Sequence, residues 1–273
     1  MSLSRLKDYF RQEPPMAVAV SGGVDSMTLA VVANRVQPET VIFHAISPAV
    51  PAIATARVRQ YALAEKWQLA IVDAGEMEDK NYLANPANRC YYCKTNLYDT
   101  ISSQTDLRVA SGTNLDDLED YRPGLVAAEE HDVCHPYVDL GISKSLLRAI
   151  ASELSLKDLK DLPSAPCLSS RVTTGIAIDA ALLPVVDIVE EEVWRRLGDS
   201  HSLKAVRCRI RDREVGLQID SSLTLEPEIK ADLIATVQDL FSGHGYAEQA
   251  THIVIEPYKM GSAFLLDTLE LKV

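Results

Sequence analysis

The sequence predicts an α/β fold in which a doubly wound, mostly parallel sheet is followed by a smaller C-terminal α+β domain. Short, wholly apolar runs in the N-terminal part are typical of strands that are buried on both faces. Helical patterns separate these runs, as crossover connections between parallel strands require. The alternation stops at Leu162–Pro166, where two prolines and small residues indicate a linker. We therefore expect one domain over residues 1–166 and a second over residues 167–273.

Local patterns justify each N-terminal element. A helix over residues 3–12 is ended by Glu13-Pro14-Pro15, and the apolar run Met16–Val20 then predicts the first strand. A glycine turn follows this strand and leads into an apolar helix. Further strands are predicted at Thr40–Ile46, Leu69–Asp73 and Arg108–Ser111, and helices at Met27–Val36, Ala52–Trp67, Gly124–Glu130 and Ser143–Leu154.

The C-terminal part has the order αββαβ, which is typical of an α+β domain. Two of its strands are joined by a tight polar turn, which predicts a hairpin. The predicted elements are helix Ala177–Leu197, strands Lys204–Arg211 and Val215–Asp220, helix Pro227–Phe241 and strand Thr251–Glu256.

Composition limits the classes of function. The 39 acidic residues exceed the 27 basic ones, and the net charge of −12 disfavours a nucleic-acid partner. No run reaches the roughly 20 apolar residues of a membrane-spanning helix, and the N-terminal segment lacks the apolar stretch of a signal peptide. Five cysteines, an odd number, fit thiols in a reducing compartment better than a disulfide framework. We expect a cytoplasmic protein with a small-molecule substrate and no membrane partner.

The strongest motif is Ser21-Gly22-Gly23-Val24-Asp25-Ser26, between the first strand and the next helix. Two adjacent glycines allow several N–H groups to surround one anion, and the helix N-terminus adds a positive dipole. The Ser21 and Ser26 hydroxyls can donate to phosphate, whereas Asp25 would repel it unless Asp25 caps the helix or binds Mg²⁺. A simple glycine turn with Asp25 as N-cap is the alternative interpretation.

This motif is neither a Walker loop nor a dinucleotide fingerprint. It resembles the Ser-Gly-Gly-x-Asp-Ser loop of the ATP-pyrophosphatase (PP-loop) superfamily. The resemblance implies an adenine nucleotide alpha hydrolase-like fold. It also implies that ATP is cleaved between the α- and β-phosphates and that an oxygen atom of the substrate is adenylated. A nucleophile then displaces AMP.

The cysteine pattern points to a metal centre, although other roles stay open. Cys90 and Cys93 are separated by two residues in a predicted loop entering a helix, and Cys167 lies at the domain junction. Three thiolates fit an iron–sulfur site with one open iron. They are too few for closed zinc unless Cys134 or His135 adds a fourth ligand. A catalytic persulfide or disulfide and simple buried thiols are the alternatives.

Over nearly its whole length the chain resembles the LarE family of sulfur transferases, which make the thiocarboxylates of the nickel-pincer nucleotide. Besides the phosphate loop, several segments carry the resemblance. They are Ser47-Pro48, Val50-Pro51, Asn88–Lys94, Gly112–Asp117, Asp120–Gly124, Pro163–Arg171 and Val206–Arg209.

The LarE resemblance implies specific roles for the cysteines. In one form of the family a lone cysteine matching Cys167 surrenders its own sulfur, and in the other three cysteines hold a 4Fe-4S cluster. Because this chain has all three, the resemblance implies that Cys90, Cys93 and Cys167 ligate a cluster whose open iron carries the sulfur. Cys134 and Cys208 are interpreted as small buried hydrophobes.

The resemblance also assigns substrate residues. Arg207 and Arg209 match an arginine pair that holds the substrate phosphate, and residues two apart on a strand face the same side. A solvated basic strand face is the alternative. Asp220 and Glu191 match acidic positions of the family, but Asp220 is shorter than the usual glutamate, so a metal-binding role stays open. Gly112, Thr113 and Asn114 are expected to border the nucleotide.

Together these observations predict an enzyme that uses ATP and Mg²⁺ to adenylate a carboxylate of a pyridinium dicarboxylate mononucleotide and then inserts sulfur. Cys167 and Asp25 are the expected catalytic residues. We expect a sulfur donor system as partner and a homo-oligomer, with the second domain binding substrate and mediating oligomerisation. The rival hypotheses are a tRNA thiolase, an ammonia-using ligase such as NAD or GMP synthetase, and a nucleotide-binding module without turnover.

Overall fold

The computed structural model describes residues 2–118, 122–163, 166–198, 203–220 and 224–259. The chain forms two compact units. Unit 1 comprises Met1–Tyr82 and Asn88–Ala165, and unit 2 comprises Leu83–Ala87 and Pro166–Val273. A five-residue segment inside the N-terminal half thus belongs to the C-terminal unit. None of the described helices is long and apolar enough to cross a membrane.

Unit 1 is an α/β structure built on a four-stranded, all-parallel sheet of order β3-β2-β1-β4. Its strands are β1 (Ala17–Ala19), β2 (Val41–Ala45), β3 (Gln68–Val72) and β4 (Val109–Ser111). Its helices are α1 (Ser2–Gln12), α2 (Val24–Val36), α3 (Ala52–Glu65), α4 (Lys80–Leu83), α5 (Arg89–Ser102), α6 (Pro123–Glu130), α7 (Pro136–Asp139), α8 (Lys144–Glu153) and α9 (Lys157–Lys160).

Helices cover both faces of the parallel sheet, which explains why its strands are largely apolar. Successive strand residues point to opposite faces. Val18 therefore packs in one core with residues of α1, α2 and α8, such as Phe10 and Leu147. Ala19 packs in a second core with residues of α5 and α6, such as Ile101 and Ala127. The predicted α/β class is confirmed. The parallel sheet with its flanking helices is compatible with a doubly wound fold.

Unit 2 contains a three-stranded mixed sheet of order β5-β6-β7. The hairpin strands β5 (Ala205–Ile210) and β6 (Val215–Asp220) are antiparallel, and β7 (Ile253–Pro257) is parallel to β6. Helices α10 (Leu183–Leu197) and α11 (Pro227–Gly243) belong to the same unit. A short 3₁₀ helix at Leu168–Arg171 lies near its start.

Asn85 explains why a distant segment joins unit 2. Its side chain is fully buried, and its amide Nδ2 donates to the carbonyls of Thr173 and Ile176 at 2.9 and 2.8 Å. The Asn85 carbonyl accepts from the N–H of Gly175 at 2.9 Å. These backbone partners satisfy the buried amide and fix the segment three residues before Asn88.

Candidate functional site

The predicted phosphate loop, Ser21–Ser26, connects β1 to α2, as the sequence predicts. Helix α2 begins at Val24, three residues before the predicted start, so Asp25 and Ser26 lie in its first turn. Gly23 is the N-cap and supplies no capping side chain. The alternative in which Asp25 caps the helix is therefore wrong. The first N–H groups of α2 have no capping side chain, and such groups are suited to bind an anion.

The loop is held in a compact conformation. Gly22 has φ +81°, and a Cβ at this position would lie 2.8 Å from the Ala54 carbonyl oxygen. The N–H of Ser21 donates to Ser26 Oγ at 3.1 Å, and Arg57 Nη1 donates to the Gly22 carbonyl at 2.7 Å. Only glycine fits at position 22 on both grounds, conformation and space.

The second predicted nucleotide segment, Gly112–Asn114, lies against this loop. A Cβ at Gly112 would lie 2.7 Å from the backbone nitrogen of Ser26. Asn114 Nδ2 lies 3.4 Å from Asp25 Oδ1, and Thr113 Oγ1 lies 3.0 Å from Ser111 Oγ at the end of β4. The carboxyl ends of two adjacent parallel strands thus bring these segments together, at the edge where open α/β sheets bind ligands.

Lys144 is a site residue that the sequence analysis missed. Its ammonium forms an ion pair with Asp25 Oδ2, in a partly buried position. Its backbone N–H donates to Asp116 Oδ2 at 3.2 Å, and Ser143 caps the helix that begins there. No local pattern marks this lysine, because it meets Asp25 from 119 residues away. The pair places one cation and one anion beside the phosphate loop.

Two histidines near the sheet have local partners. His44 is fully buried, and its ring nitrogens contact the Val20 carbonyl and Thr55 Oγ1, both at 2.9 Å. His135 Nδ1 lies 2.8 Å from Ser111 Oγ. Burial lowers the pKa of both rings, so both favour the neutral form.

The cysteines divide into two classes. Cys90 is exposed, and Cys93 and Cys167 are partly exposed, whereas Cys134 and Cys208 are buried. Burial raises the pKa of both buried thiols, as expected for structural cysteines. The prediction that they are buried hydrophobes is confirmed.

The exposed cysteines of unit 1 lie in a helix, which corrects the predicted loop. Cys90 and Cys93 occupy the first turns of α5, three residues apart, so they share a face. Cys167, in unit 2, is the N-cap of the 3₁₀ helix Leu168–Arg171. Among the residues that the structure describes, no three His, Cys, Asp or Glu side chains are grouped as a metal site.

Arg207 and Arg209 do not lie on a solvated basic face. Their exposed fractions are 8% and 6%. Arg209 donates to Gln218 Oε1 at 2.9 Å and to the Ser170 carbonyl at 2.7 Å, both neutral groups. Burial and the charge of Arg171 lower the pKa of both, that of Arg209 to about 10. Arg207 Nη1 lies 4.0 Å from Glu190 Oε2. Three buried arginines around this one carboxylate form a cationic cluster, which attracts a further anion.

A buried ion pair beside this cluster was also missed. Arg171 Nε and Nη2 donate to the two carboxylate oxygens of Glu190 at 2.9 and 2.8 Å. Arg171 Nη1 also donates to the carbonyls of Pro166 and Cys167 at 2.7 and 3.2 Å. Burial opposes the charge, but the hydrogen bonds and charge of Glu190 outweigh it and raise the pKa of Arg171.

The remaining predicted residues have simpler surroundings. Asp220 ends β6, and its carbonyl accepts from the N–H of Lys204 at 2.8 Å. Glu191 lies on α10. Partial desolvation of its carboxyl and the charge of Asp187 raise its pKa. Of the family motifs, residues 119–121 and 164–165 lie outside the described residues.

Two proteins are similar to the chain. The uncharacterized protein slr1717 of Synechocystis sp. is 37% identical over 203 residues, which cover 72% of this chain and 74% of that protein. The uncharacterized protein MJ0830 of Methanocaldococcus jannaschii is 25% identical over 246 residues, which cover 86% of this chain and 89% of that protein. No protein-family model matches the chain.

Proposed function

The chain belongs to the family of the Synechocystis protein slr1717, and we propose that it is an ATP-dependent sulfur transferase of the PP-loop type, with a LarE-like activity. In this proposal unit 1 is an adenine nucleotide alpha hydrolase-like domain. The observation that carries the proposal is the phosphate loop, whose uncapped helix N-terminus adjoins Gly112 and the Asp25–Lys144 pair.

The phosphate loop supports binding of the ATP phosphates. The first N–H groups of α2 and the hydroxyls of Ser21 and Ser26 are the donors for phosphate oxygens. Lys144 adds the only cation seen on Asp25 among the described residues. Asp25 would hold the Mg²⁺ that accompanies ATP, because a carboxylate is the ligand that this ion prefers.

The first step is adenylation of a carboxylate. A carboxylate oxygen of the substrate forms a bond to the α-phosphorus of ATP, the bond to the β-phosphate oxygen breaks, and pyrophosphate leaves. Lys144 and the loop N–H groups would stabilise the charge that moves onto pyrophosphate. The loop N–H groups are held in place by the backbone before the reaction, so they need no reorganisation at that moment.

The second step delivers sulfur. A sulfide equivalent attacks the acyl carbon, the carbon–oxygen bond to AMP breaks, and thiocarboxylate and AMP are the products, with a proton released from hydrosulfide. No oxidant or reductant is consumed in this displacement. The substrate that we propose is pyridinium-3,5-dicarboxylate mononucleotide, whose phosphate would bind Arg207 and Arg209.

The three accessible thiols fit an iron–sulfur cluster by their chemistry. Cys90, Cys93 and Cys167 are at least partly exposed, unlike the other two cysteines. They would hold a 4Fe-4S cluster, which when bound supplies sulfur through the iron that no protein thiolate occupies. Reloading would require a sulfur donor.

Product analysis tests the proposal. Protein purified without oxygen is incubated with ATP, Mg²⁺ and the mononucleotide, and nucleotides and pyridinium products are analysed by mass spectrometry. We expect AMP, pyrophosphate and a product in which sulfur replaces a carboxylate oxygen. ADP with phosphate as main products would contradict PP-loop chemistry. An amide formed from ammonia, or turnover only with tRNA, would instead identify one of the rival enzymes.

A further inference from the structure

A polar network buried within unit 2 joins the segment of Cys167 to the strand of the two candidate phosphate-binding arginines. The members of the network are less than a tenth exposed: Ser170, Arg171, Glu190, Arg207, Cys208, Arg209 and Gln218. Buried groups of this kind persist when their hydrogen bonds are satisfied in one arrangement. The network therefore fixes the backbone that it connects.

Arg171 fixes the backbone at Cys167. One nitrogen of its guanidinium donates to the carbonyls of Pro166 and Cys167, at 2.7 and 3.2 Å. The other two nitrogens are occupied by Glu190 of α10. The planar fork of an arginine makes such a set of bonds possible, and a lysine cannot reproduce it.

Glu190 extends the connection to β5. Its Oε1 accepts the backbone N–H of Cys208 at 2.8 Å, and Cys208 lies between Arg207 and Arg209. This N–H is available because β5 is at the edge of its sheet. A second link runs from Arg209 Nη1 to the Ser170 carbonyl at 2.7 Å. The Cys167 segment is thus tied to β5 at two points.

We propose that Arg171 and Glu190 are positioning residues, whose buried ion pair holds Cys167 in register with the arginines that bind the substrate phosphate. The inference rests on the proposed function for the roles of Cys167, Arg207 and Arg209. In this arrangement the network sets the distance from Cys167 to the arginines that would anchor the substrate phosphate. A misplacement of about 1 Å at a reacting centre can cost roughly a hundredfold in rate.

Variants of Arg171 or Glu190 should therefore lose sulfur transfer more than adenylation. Adenylation depends on the phosphate loop of unit 1, whereas sulfur transfer depends also on where Cys167 lies. Arg171→Lys keeps the charge but removes the fork, and Glu190→Gln keeps an acceptor for the Cys208 N–H but removes the charge. Both variants should form AMP and pyrophosphate yet release about tenfold more AMP per thiocarboxylate than the parent protein.

The test compares these variants with Arg211→Lys. Arg211 follows the same strand and pairs with Glu214 and Glu256, so it controls for loss of an arginine ion pair nearby. Product ratios, kcat and KM for the mononucleotide are measured, and thermal unfolding confirms that each variant is folded. In cluster-free protein, alkylation of Cys167 by iodoacetamide is followed by peptide mass spectrometry. We expect several-fold faster alkylation in both variants and parent behaviour in the control.

Two results would overturn the inference. One is a parent-like product ratio together with unchanged Cys167 alkylation in both variants. The other is an equal loss of AMP formation and sulfur transfer with a lowered unfolding temperature, which would make the pair a purely structural element. If the parent protein itself forms no AMP or thiocarboxylate, the proposed function fails, and the alkylation rates still decide whether the pair positions Cys167.

Discussion

The ammonium of Lys144 forms an ion pair with the carboxylate of Asp25, in the first turn of the helix that follows the phosphate loop. The pair neutralises an aspartate that would otherwise repel a phosphate. It also keeps a lysine next to the N–H groups that are suited to bind the phosphate. In the proposed function Asp25 would hold Mg²⁺, and Lys144 would contact a phosphate oxygen of ATP.

Replacing Lys144 by methionine should therefore reduce the rate of pyrophosphate formation while the protein still folds. Loss of one hydrogen bond to a charged group costs about 1.5–3 kcal/mol, or roughly 10- to 150-fold in rate. The check is steady-state release of pyrophosphate with ATP and substrate. Lys160→Met is the matched control, because Lys160 lies in an exposed pair with Asp161 and should retain full activity. Equal rates for the two variants would exclude Lys144 from the site.

Gly112→Ala should weaken nucleotide binding. The added methyl group would lie 2.7 Å from Ser26 N and 2.8 Å from Ser26 Cα, so the start of α2 must shift. Fluorescent ATP-analogue titration should show a loss of affinity of at least about tenfold, while circular dichroism still shows a folded α/β protein. Gly243→Ala is the control, since no atom lies within 4 Å of its added Cβ. Unchanged affinity in Gly112→Ala would mean that the loop conformation does not matter for the nucleotide.

Thiol labelling should divide the five cysteines into the same two groups, accessible and buried, that the structure shows. In native, cluster-free protein near pH 8, iodoacetamide should modify Cys90, Cys93 and Cys167. Cys134 and Cys208 should resist, because burial hides their sulfurs and raises their pKa, so little thiolate forms. Peptide mass spectrometry reads the sites, and all five should react in denaturant.

Alanine variants connect these thiols to activity. Changing any of Cys90, Cys93 or Cys167 to alanine should abolish the iron–sulfur absorption and sulfur transfer, whereas Cys134→Ala and Cys208→Ala should do neither. If only Cys167 matters and each active chain becomes lighter by one H2S, the lone-cysteine mechanism applies instead.

Inorganic phosphate should stabilise unit 2 through the buried arginines. A ligand that binds only the folded protein raises its free energy of unfolding, so the unfolding temperature should rise with phosphate concentration at constant ionic strength. Arg207→Ala and Arg209→Ala should each weaken binding of the mononucleotide by about 1.5–3 kcal/mol and reduce the rise in unfolding temperature with phosphate. Arg211→Ala should change neither. An undiminished phosphate effect in both single variants would place the anion elsewhere.

The local pattern predicts the parallel sheet because each strand is a short, largely apolar run, and the central strand β1 is buried on both faces. The predicted strand Thr40–Ile46 is β2 at Val41–Ala45, and the phosphate loop joins β1 to a helix as expected. The prediction that Cys90–Cys93 forms a loop is wrong. Tyrosine and cysteine are weak helix formers, yet this segment lies in the 14-residue helix α5.

What sequence could not predict depends on partners far along the chain. Asn85 joins unit 2 through carbonyls 88 and 91 residues away. Arg171 stands in a recognised motif, but its partner Glu190 is one of three consecutive glutamates on a helix and only the packing selects it. Asp25 and Lys144 pair for the same reason, across the fold.

The outer side of β5 has a further consequence for how the protein behaves at high concentration. An edge strand with unpaired backbone groups is a template on which another chain can add a strand and start aggregation. Here Glu190 takes the Cys208 N–H, and the Ile210 carbonyl accepts the N–H of Thr173 at 3.0 Å. The groups that organise the candidate sulfur site thereby also shield this edge from self-association, so variants of Glu190 should be watched for aggregation as well as for activity.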